Sequence, residues 1–307
     1  MRKPFTNPPE HFIETISNLH KFRPYNLRTL ESLMENYIWF AGMDKMNDPF
    51  EGLIDYRKDL TYEAIIRAEV PFYPNADGSK DSELVLREEF KSDANAFIMK
   101  YRKKHIEAYE LFLRKARTQG CFSVFSEPKN SNKIPNSKIL GSLDCQADDD
   151  LFQATQDEDL RMWSYYGDGL RGLRITYSPE KILLSEELTI AAIKYQEKPD
   201  SVDATAFCSE LYYGSGPRYK ASILPTRFLT KGIFWSYEKE IRLKIEKQGK
   251  FHIPEDSISS ITFGCKMPKE QKEMIKNVAI YKNPNIKFYE ARMSDSEFLI
   301  DYIEMHN

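Results

Sequence analysis

Cysteine and histidine are both scarce in this chain of 307 residues, and neither type is grouped. The four cysteines, Cys121, Cys145, Cys208 and Cys265, show no C-x-x-C spacing, which excludes the common zinc and dithiol redox motifs. They read as reduced thiols, mostly in the core. His11, His20, His105, His252 and His306 form no pair at helical or strand spacing, so no structural metal is expected. No window approaches the roughly 20 apolar residues of a membrane helix, and Met1-Arg2-Lys3-Pro4-Phe5 lacks the apolar stretch of a secretory signal. A cytoplasmic protein without membrane contact is the expectation. Charge of one sign is also missing. The 44 basic and 47 acidic side chains leave a net charge of −3, which argues against a surface that neutralises many phosphates. No internal repeat is present.

What the chain does contain is apolar and aromatic mass. Hydrophobic residues make up 41% and aromatic residues 13%, enough to bury a sizeable core and to exclude disorder over most of the length. A first landmark is a strand at 19–23, a turn, a helix at 27–36 with Leu27, Leu30, Leu33 and Met34 at helical spacing, and a strand at 37–40. Asn47-Asp48-Pro49 signals a turn. Residues 58–119 are rich in Glu, Lys, Arg and Ala with apolar positions that suit helices, and read as a helical insertion. Cys121 to Ser126 alternates like a strand. Residues 127–159 carry two acidic triplets and little periodicity, which suggests a mobile acidic loop. A second landmark is a helix at 160–166, a Gly167-Asp168-Gly169 break and a strand at 170–177. A mixed segment at 204–224 follows, and then the third landmark at 233–245. Strands near 259–263 and 286–289 flank a helix at 268–277. The predicted fold is α+β: one domain spanning 1–307, with a mixed, mainly antiparallel sheet, surrounding helices and the insertion.

Three groups of residues could carry chemistry. Read as one strand, 233–245 places Glu238, Glu240 and Arg242 on one face and Trp235, Tyr237 and Ile241 on the other. Enclosure would divide two such carboxylates in role, whereas a solvated face with cross-strand ion pairs would leave them structural. Trp163-Ser164-Tyr165-Tyr166 sets broad rings before a glycine break; Met162, Trp163 and Tyr166 suit the core, and Tyr165 is the freer ring. Lys21 and Arg23 share a strand face beside a helix start, where two cations suit a diphosphate or form a charged strand edge. Asp48 and Glu51 offer oxygen ligands for a divalent cation, although a capped turn whose Phe50 plugs the core fits the same residues.

With these residues in view, the chain resembles a widespread family of bacterial proteins designated a domain of unknown function. The resemblance rests on Lys21-Phe22-Arg23, Asn47-Asp48-Pro49-Phe50-Glu51, Cys121-Phe122-Ser123, Met162-Trp163-Ser164-Tyr165-Tyr166-Gly167, Trp235-Ser236-Tyr237-Glu238-Lys239-Glu240-Ile241-Arg242 and Ile261-Thr262-Phe263-Gly264, in that order. By arrangement the landmarks also resemble ADP-ribosyltransferases, particularly bacterial toxins that modify DNA. That second resemblance implies NAD as cosubstrate, transfer to a nucleic-acid or protein acceptor or to water, and a setting in bacterial defence or toxicity. It implies Glu240 beside the ribose, Glu238 at the acceptor, Lys21 and Arg23 on the diphosphate, Tyr165 or Tyr166 on nicotinamide, Ser123 on the ribose, and Arg242 in the binding set. Two other classes fit the residues. One is a metal-dependent nuclease or phosphoesterase using Asp48, Glu51, Glu238 and Glu240. The other is a non-enzymatic module that binds a nucleotide-like molecule.

Overall fold

The structure is a computed structural model that describes residues 16–51, 55–57, 61–69, 82–128, 156–182, 188–199, 201–203, 229–296 and 298–305. The reading of 1–307 as one domain meets a chain that divides into two compact units. The first comprises 1–45, 119–195 and 233–307, and the second 46–118 and 196–232. Of the acidic loop expected at 127–159, residues 129–155 lie outside the described residues, as does the mixed segment at 204–224.

The strands and helices, in chain order, are β1 (Ile16–Arg23), α1 (Leu27–Met34), β2 (Tyr37–Gly42), β3 (Asp55–Arg57), α2 (Tyr62–Glu69), α3 (Ser82–Ser92), α4 (Ala94–Thr118), β4 (Gly120–Pro128), α5 (Gln156–Tyr165), β5 (Leu173–Tyr177), α6 (Pro179–Ile182), β6 (Thr189–Ala192), β7 (Lys194–Gln196), β8 (Ser201–Asp203), β9 (Thr230–Gly232), β10 (Glu240–Ile245), β11 (Gly249–His252), β12 (Ile258–Gly264), α7 (Lys269–Lys282), β13 (Lys287–Met293) and β14 (Ile300–Met305). The fold is α+β with a mixed, mostly antiparallel sheet. In the first unit ten strands form one sheet in the order β11-β2-β4-β1-β5-β12-β13-β14, with β10 on β4 and β6 on β10. Among the described strands of this sheet only the β12–β13 pair is parallel, and α7 makes the crossover that a parallel pair requires.

The sheet divides at β4. Along one edge β4 pairs with β10 from Gly120 to Phe125. On its other edge Gly120 and Cys121 pair with β2, whereas Phe125 to Pro128 pair with β1. β1 leaves β4 beyond His20, while its other edge pairs with β5 from Leu19 to Arg23. Phe122 to Val124 therefore lie at a split between two half-sheets, and the Lys21 ammonium donates to the Ser123 carbonyl across it at 2.7 Å. Gly120 is small for a reason at the junction: a Cβ there would sit 2.7 Å from Phe40 Cβ and 2.8 Å from the Lys247 carbonyl.

Alternation along the strands sorts side chains between two cores. Leu19, Phe40, Phe122, Val124, Ile175, Ile241, Leu243 and Phe263 meet on one face and form the larger cluster with Ile275 of α7. The opposite face carries Phe22 and Phe125, which pack under Met162 and Trp163 of α5. Trp163 is fully buried, edge-on to Phe22 at 5.1 Å, and its indole N–H donates to the Tyr302 hydroxyl at 3.1 Å. Asn26 starts α1 by accepting from the Thr29 N–H, so the helix begins where sequence places it.

The second unit holds α2, α3 and α4 around Ile65, Leu86, Phe97 and Tyr101. Glu69, almost fully buried on α2, accepts from Lys104 of α4 through both oxygens, which a buried carboxylate requires. β3 and β8 pair in parallel. In the Asn47 turn Asp48 is buried and accepts from the Phe50 N–H at 2.9 Å, whereas Phe50 is 67% exposed. The expectation that Phe50 plugs the core is corrected: the turn is held by its Asx hydrogen bond, and the ring points out.

Candidate functional site

The site lies on the face of the first unit that α5 covers. Its centre is Glu240, the first residue of β10. Register places Glu240 opposite Phe125 and Arg242 opposite Ser123, so Ser123, Phe125, Glu240 and Arg242 share this face. The Ser123 hydroxyl donates to Glu240 Oε1 at 2.5 Å. Arg242 Nε and Nη2 both reach the same oxygen, at 2.8 and 2.7 Å. The Arg242 side chain has no exposed surface and that of Glu240 only 3%. These are charge-assisted bonds in an enclosed place, and they hold the carboxylate in one orientation. The Glu240 N–H donates to the Tyr195 hydroxyl at 2.8 Å, which fixes the start of the strand as well.

Glu238 reaches the site by a different route from the one the sequence suggests. Residues 233–238 form a 3-10 helix, not a strand, and Lys239 then takes a left-handed φ of 40° before β10 begins. The alternation argument therefore holds for Glu240 and Arg242 and fails for Glu238. Reversal at Lys239, not strand pleating, sets its position. Glu238 is buried, and its Oε1 accepts from the Tyr166 hydroxyl. Burial, and next the Glu238 charge, push the Tyr166 phenol well above its ordinary pKa. It therefore stays a donor at any physiological pH. Tyr237 is pushed up to about 12, by burial first and then by Glu238. Tyr195 is also raised well above its ordinary value, chiefly by desolvation and then by Glu240.

Tyr166 stands just past the end of α5, where its N–H still bonds the Met162 carbonyl at 2.9 Å. That helical geometry turns Met162 and Trp163 inward and leaves Tyr165 71% exposed. The two tyrosines are thus separated: Tyr166 holds a carboxylate and Tyr165 faces solvent.

Lys21 and Arg23 do not join the carboxylates. Both stand over the Phe122 ring, at 5.1 and 5.9 Å, on the face of the larger core. The expected convergence of these cations with Glu238 and Glu240 is corrected by strand parity. Beyond the register irregularity between Ile16 and Asn18, Leu19, Lys21 and Arg23 share the face of the larger core, and His20 and Phe22 face the other, where Phe125 lies. Lys21 instead ties the split through the backbone of Ser123. The basic residue of β1 that does share the face of Glu240 is His20. It pairs laterally with Phe125, which pairs with Glu240, so Thr176, His20, Phe125 and Glu240 form one row across four strands. His20 Nδ1 lies 3.1 Å from Thr176 Oγ1, and its ring is 5.8 Å from that of Phe125. Two strand spacings put the His20 and Glu240 backbones roughly 10 Å apart. Parity with Phe22 was the available sequence signal for His20, but using it needed the β1–β4 register.

Asp48 and Glu51 belong to the second unit. Among the described residues no group of three His, Cys, Asp or Glu side chains could hold a metal ion. No described helix is long and apolar enough to cross a membrane.

Comparison with known proteins returns no match. No family model, no curated protein and no solved structure matches the chain.

Proposed function

We propose that the chain is an ADP-ribosyltransferase-like enzyme that cleaves NAD at the nicotinamide–ribose bond and passes the ADP-ribosyl group to an acceptor or to water. The observation that carries this reading is Glu240 fixed by Ser123 and Arg242 on an enclosed sheet face, with a second carboxylate, Glu238, held two residues earlier by Tyr166. The C1′–N bond breaks and its electron pair leaves on nicotinamide, while an oxygen or nitrogen of the acceptor, or of water, forms the new bond to C1′. The transition state resembles an oxocarbenium ion. Glu240 holds ribose hydroxyls and offsets the positive charge as it develops. Glu238 takes the proton that the nucleophile gives up. Ser123 and Arg242 are positioning residues that aim Glu240, and Tyr166 does the same for Glu238. No cation of β1 is assigned to the diphosphate.

The test is nicotinamide release from NAD by the purified chain, with a mass-spectrometric search for ADP-ribosylated products. Glu240→Gln should lower turnover by about 10²- to 10³-fold, the usual loss on removing one transition-state charge stabiliser. Turnover that survives Glu240→Gln refutes the role given to that residue. Activity on phosphodiesters that EDTA abolishes supports the metal-dependent alternative, and NAD binding without turnover supports a nucleotide-sensing module.

A further inference from the structure

Where α5 packs against the 3-10 segment 233–238, the first unit exposes a surface of rings. Arg161 and Tyr165 stand four residues apart on α5 and so share one of its faces. Tyr165 and Tyr237 have ring centroids 6.2 Å apart with planes tilted by 37°, and Tyr237 and Trp235 repeat that spacing with a tilt of 35°. The Arg161 guanidinium lies 5.4 Å from the Tyr237 centroid. Tyr165 is 71% exposed, Phe234 89% and Ile233 40%, while Trp235 and Tyr237 are half-buried. Apolar ring surface gathered in this way marks a place where something docks. We infer that this surface docks a proline-rich segment of a partner protein, held in polyproline II conformation, with an acidic residue of that segment at Arg161.

Ring geometry and charge together select the occupant. Rings that lean on one another by 35–37° leave wedge-shaped notches between them. A puckered pyrrolidine ring fills a wedge and turns its C–H edges to the negative ring faces, whereas a flat base lies against one wall only. Polyproline II rises about 3.1 Å per residue, so about four residues span the two steps of 6.2 Å between the three rings. That conformation has no internal hydrogen bonds. Its carbonyls are open to the exposed Tyr165 hydroxyl, and because it is largely formed beforehand, docking costs little chain entropy. Among the described residues the Arg161 guanidinium contacts the Tyr237 ring and no carboxylate, so it attracts an acidic residue and repels a lysine or arginine. One such cation on a chain of net charge −3 releases few counterions, which disfavours a nucleic acid as occupant. The surface uses none of the side chains that the transferase reading assigns to chemistry, and it stands whether or not NAD is cleaved.

The experiment is fluorescence anisotropy of a labelled peptide of six prolines followed by two glutamates, titrated with the full-length protein. Three further probes are a peptide with glycine in place of every proline, one with lysine in place of both glutamates, and a single-stranded oligonucleotide. The proline–glutamate peptide should bind saturably, and the glycine peptide roughly tenfold more weakly or less, because its chain must be ordered on docking. The lysine peptide should bind about threefold more weakly or less at low salt, with the difference narrowing as salt screens Arg161. Arg161→Ala should bring the two charged peptides to about the same affinity. Tyr165→Ala, at an exposed position, should weaken binding about fivefold or more, as loss of an anchoring ring does, and Tyr165→Phe, which keeps the ring, should lose less. Thermal melts that match the parent show that these variants fold. No saturable binding of the proline–glutamate peptide, equal affinity for the glycine peptide, preference for lysine, a Tyr165→Ala variant that binds like the parent, or binding of the oligonucleotide with none of the peptide each overturns the inference. Nicotinamide release followed on the same preparations reports on the transferase reading separately.

Discussion

Glu240 and Arg242 allow a quantitative prediction about stability that also governs how the site is to be probed. The pair is buried, with side-chain exposures of 3% and 0%, and one carboxylate oxygen takes two guanidinium nitrogens and the Ser123 hydroxyl. Removing either partner leaves a charge enclosed without its counter-charge, at a cost of about 3–5 kcal/mol. Glu240→Ala and Arg242→Ala should each lose that much in urea unfolding followed through the fully buried Trp163. The equivalent loss in Tm is roughly 6–20 °C for a domain of this size. Glu240→Gln keeps an oxygen within reach of both donors, so it should lose less than Glu240→Ala, although it too leaves Arg242 enclosed without its counter-charge. Glu240→Met combined with Arg242→Met removes both charges at similar volume and should be less destabilising than either alanine variant. A cycle through Glu240→Met, Arg242→Met and the double methionine variant should show coupling of about 2 kcal/mol or more. If the losses add to within about 0.5 kcal/mol, the pair is not an enclosed unit and the argument fails. Turnover should therefore be measured on the glutamine variant, since the alanine variant would report loss of fold together with loss of charge.

Tyr166→Phe removes a donor to the buried Glu238 and should cost about 1.5–3 kcal/mol, read by the same unfolding assay. Because the folded Tyr166 pKa lies above the ordinary 10.0, its contribution is complete at neutral pH and is lost as pH rises above that value; the phenylalanine variant should lack this part of the alkaline decline. Lys244 is buried on β10, and burial lowers its pKa below 10.5. The unfolded chain then binds more protons, so stability rises with pH between the lowered folded value and 10.5, and Lys244→Met should abolish that rise and stabilise the protein at pH 7, as thermal melts across the range would detect. Burial raises Glu290, yet Lys272 at 2.6 Å and Arg292 outweigh it and hold the carboxyl below 4.5. Its contribution is present above that pH and lost as pH falls below it. Lys272→Met should accordingly reduce the slope of acid unfolding; an unchanged slope would contradict the pairing.

Local pattern was enough to locate much of the fold and part of the site. Helical spacing marks α1, and apolar alternation marks β4 and β10. The same alternation puts Glu240 and Arg242 on one face, where they do pair. Period 3.6 was also enough to separate Trp163 from Tyr165. These features depend only on residues a few positions apart. Glu238 escaped such reasoning because one left-handed residue, Lys239, ends the 3-10 helix before it and resets the direction of the chain.

Tertiary structure decided what no local pattern contains, namely which strand edges meet and in what register. Strand parity alone says that Lys21 and Arg23 face one way and His20 and Phe22 the other. Only the pairing of His20 with Phe125, and of Phe125 with Glu240, shows which set shares a face with the carboxylates. A one-residue slip would have exchanged the two sets, since side chains alternate with a period of two. The split at β4, which turns Lys21 from an expected ligand group into a tie on the Ser123 carbonyl, likewise arises because β1 and β2 share one edge of that strand.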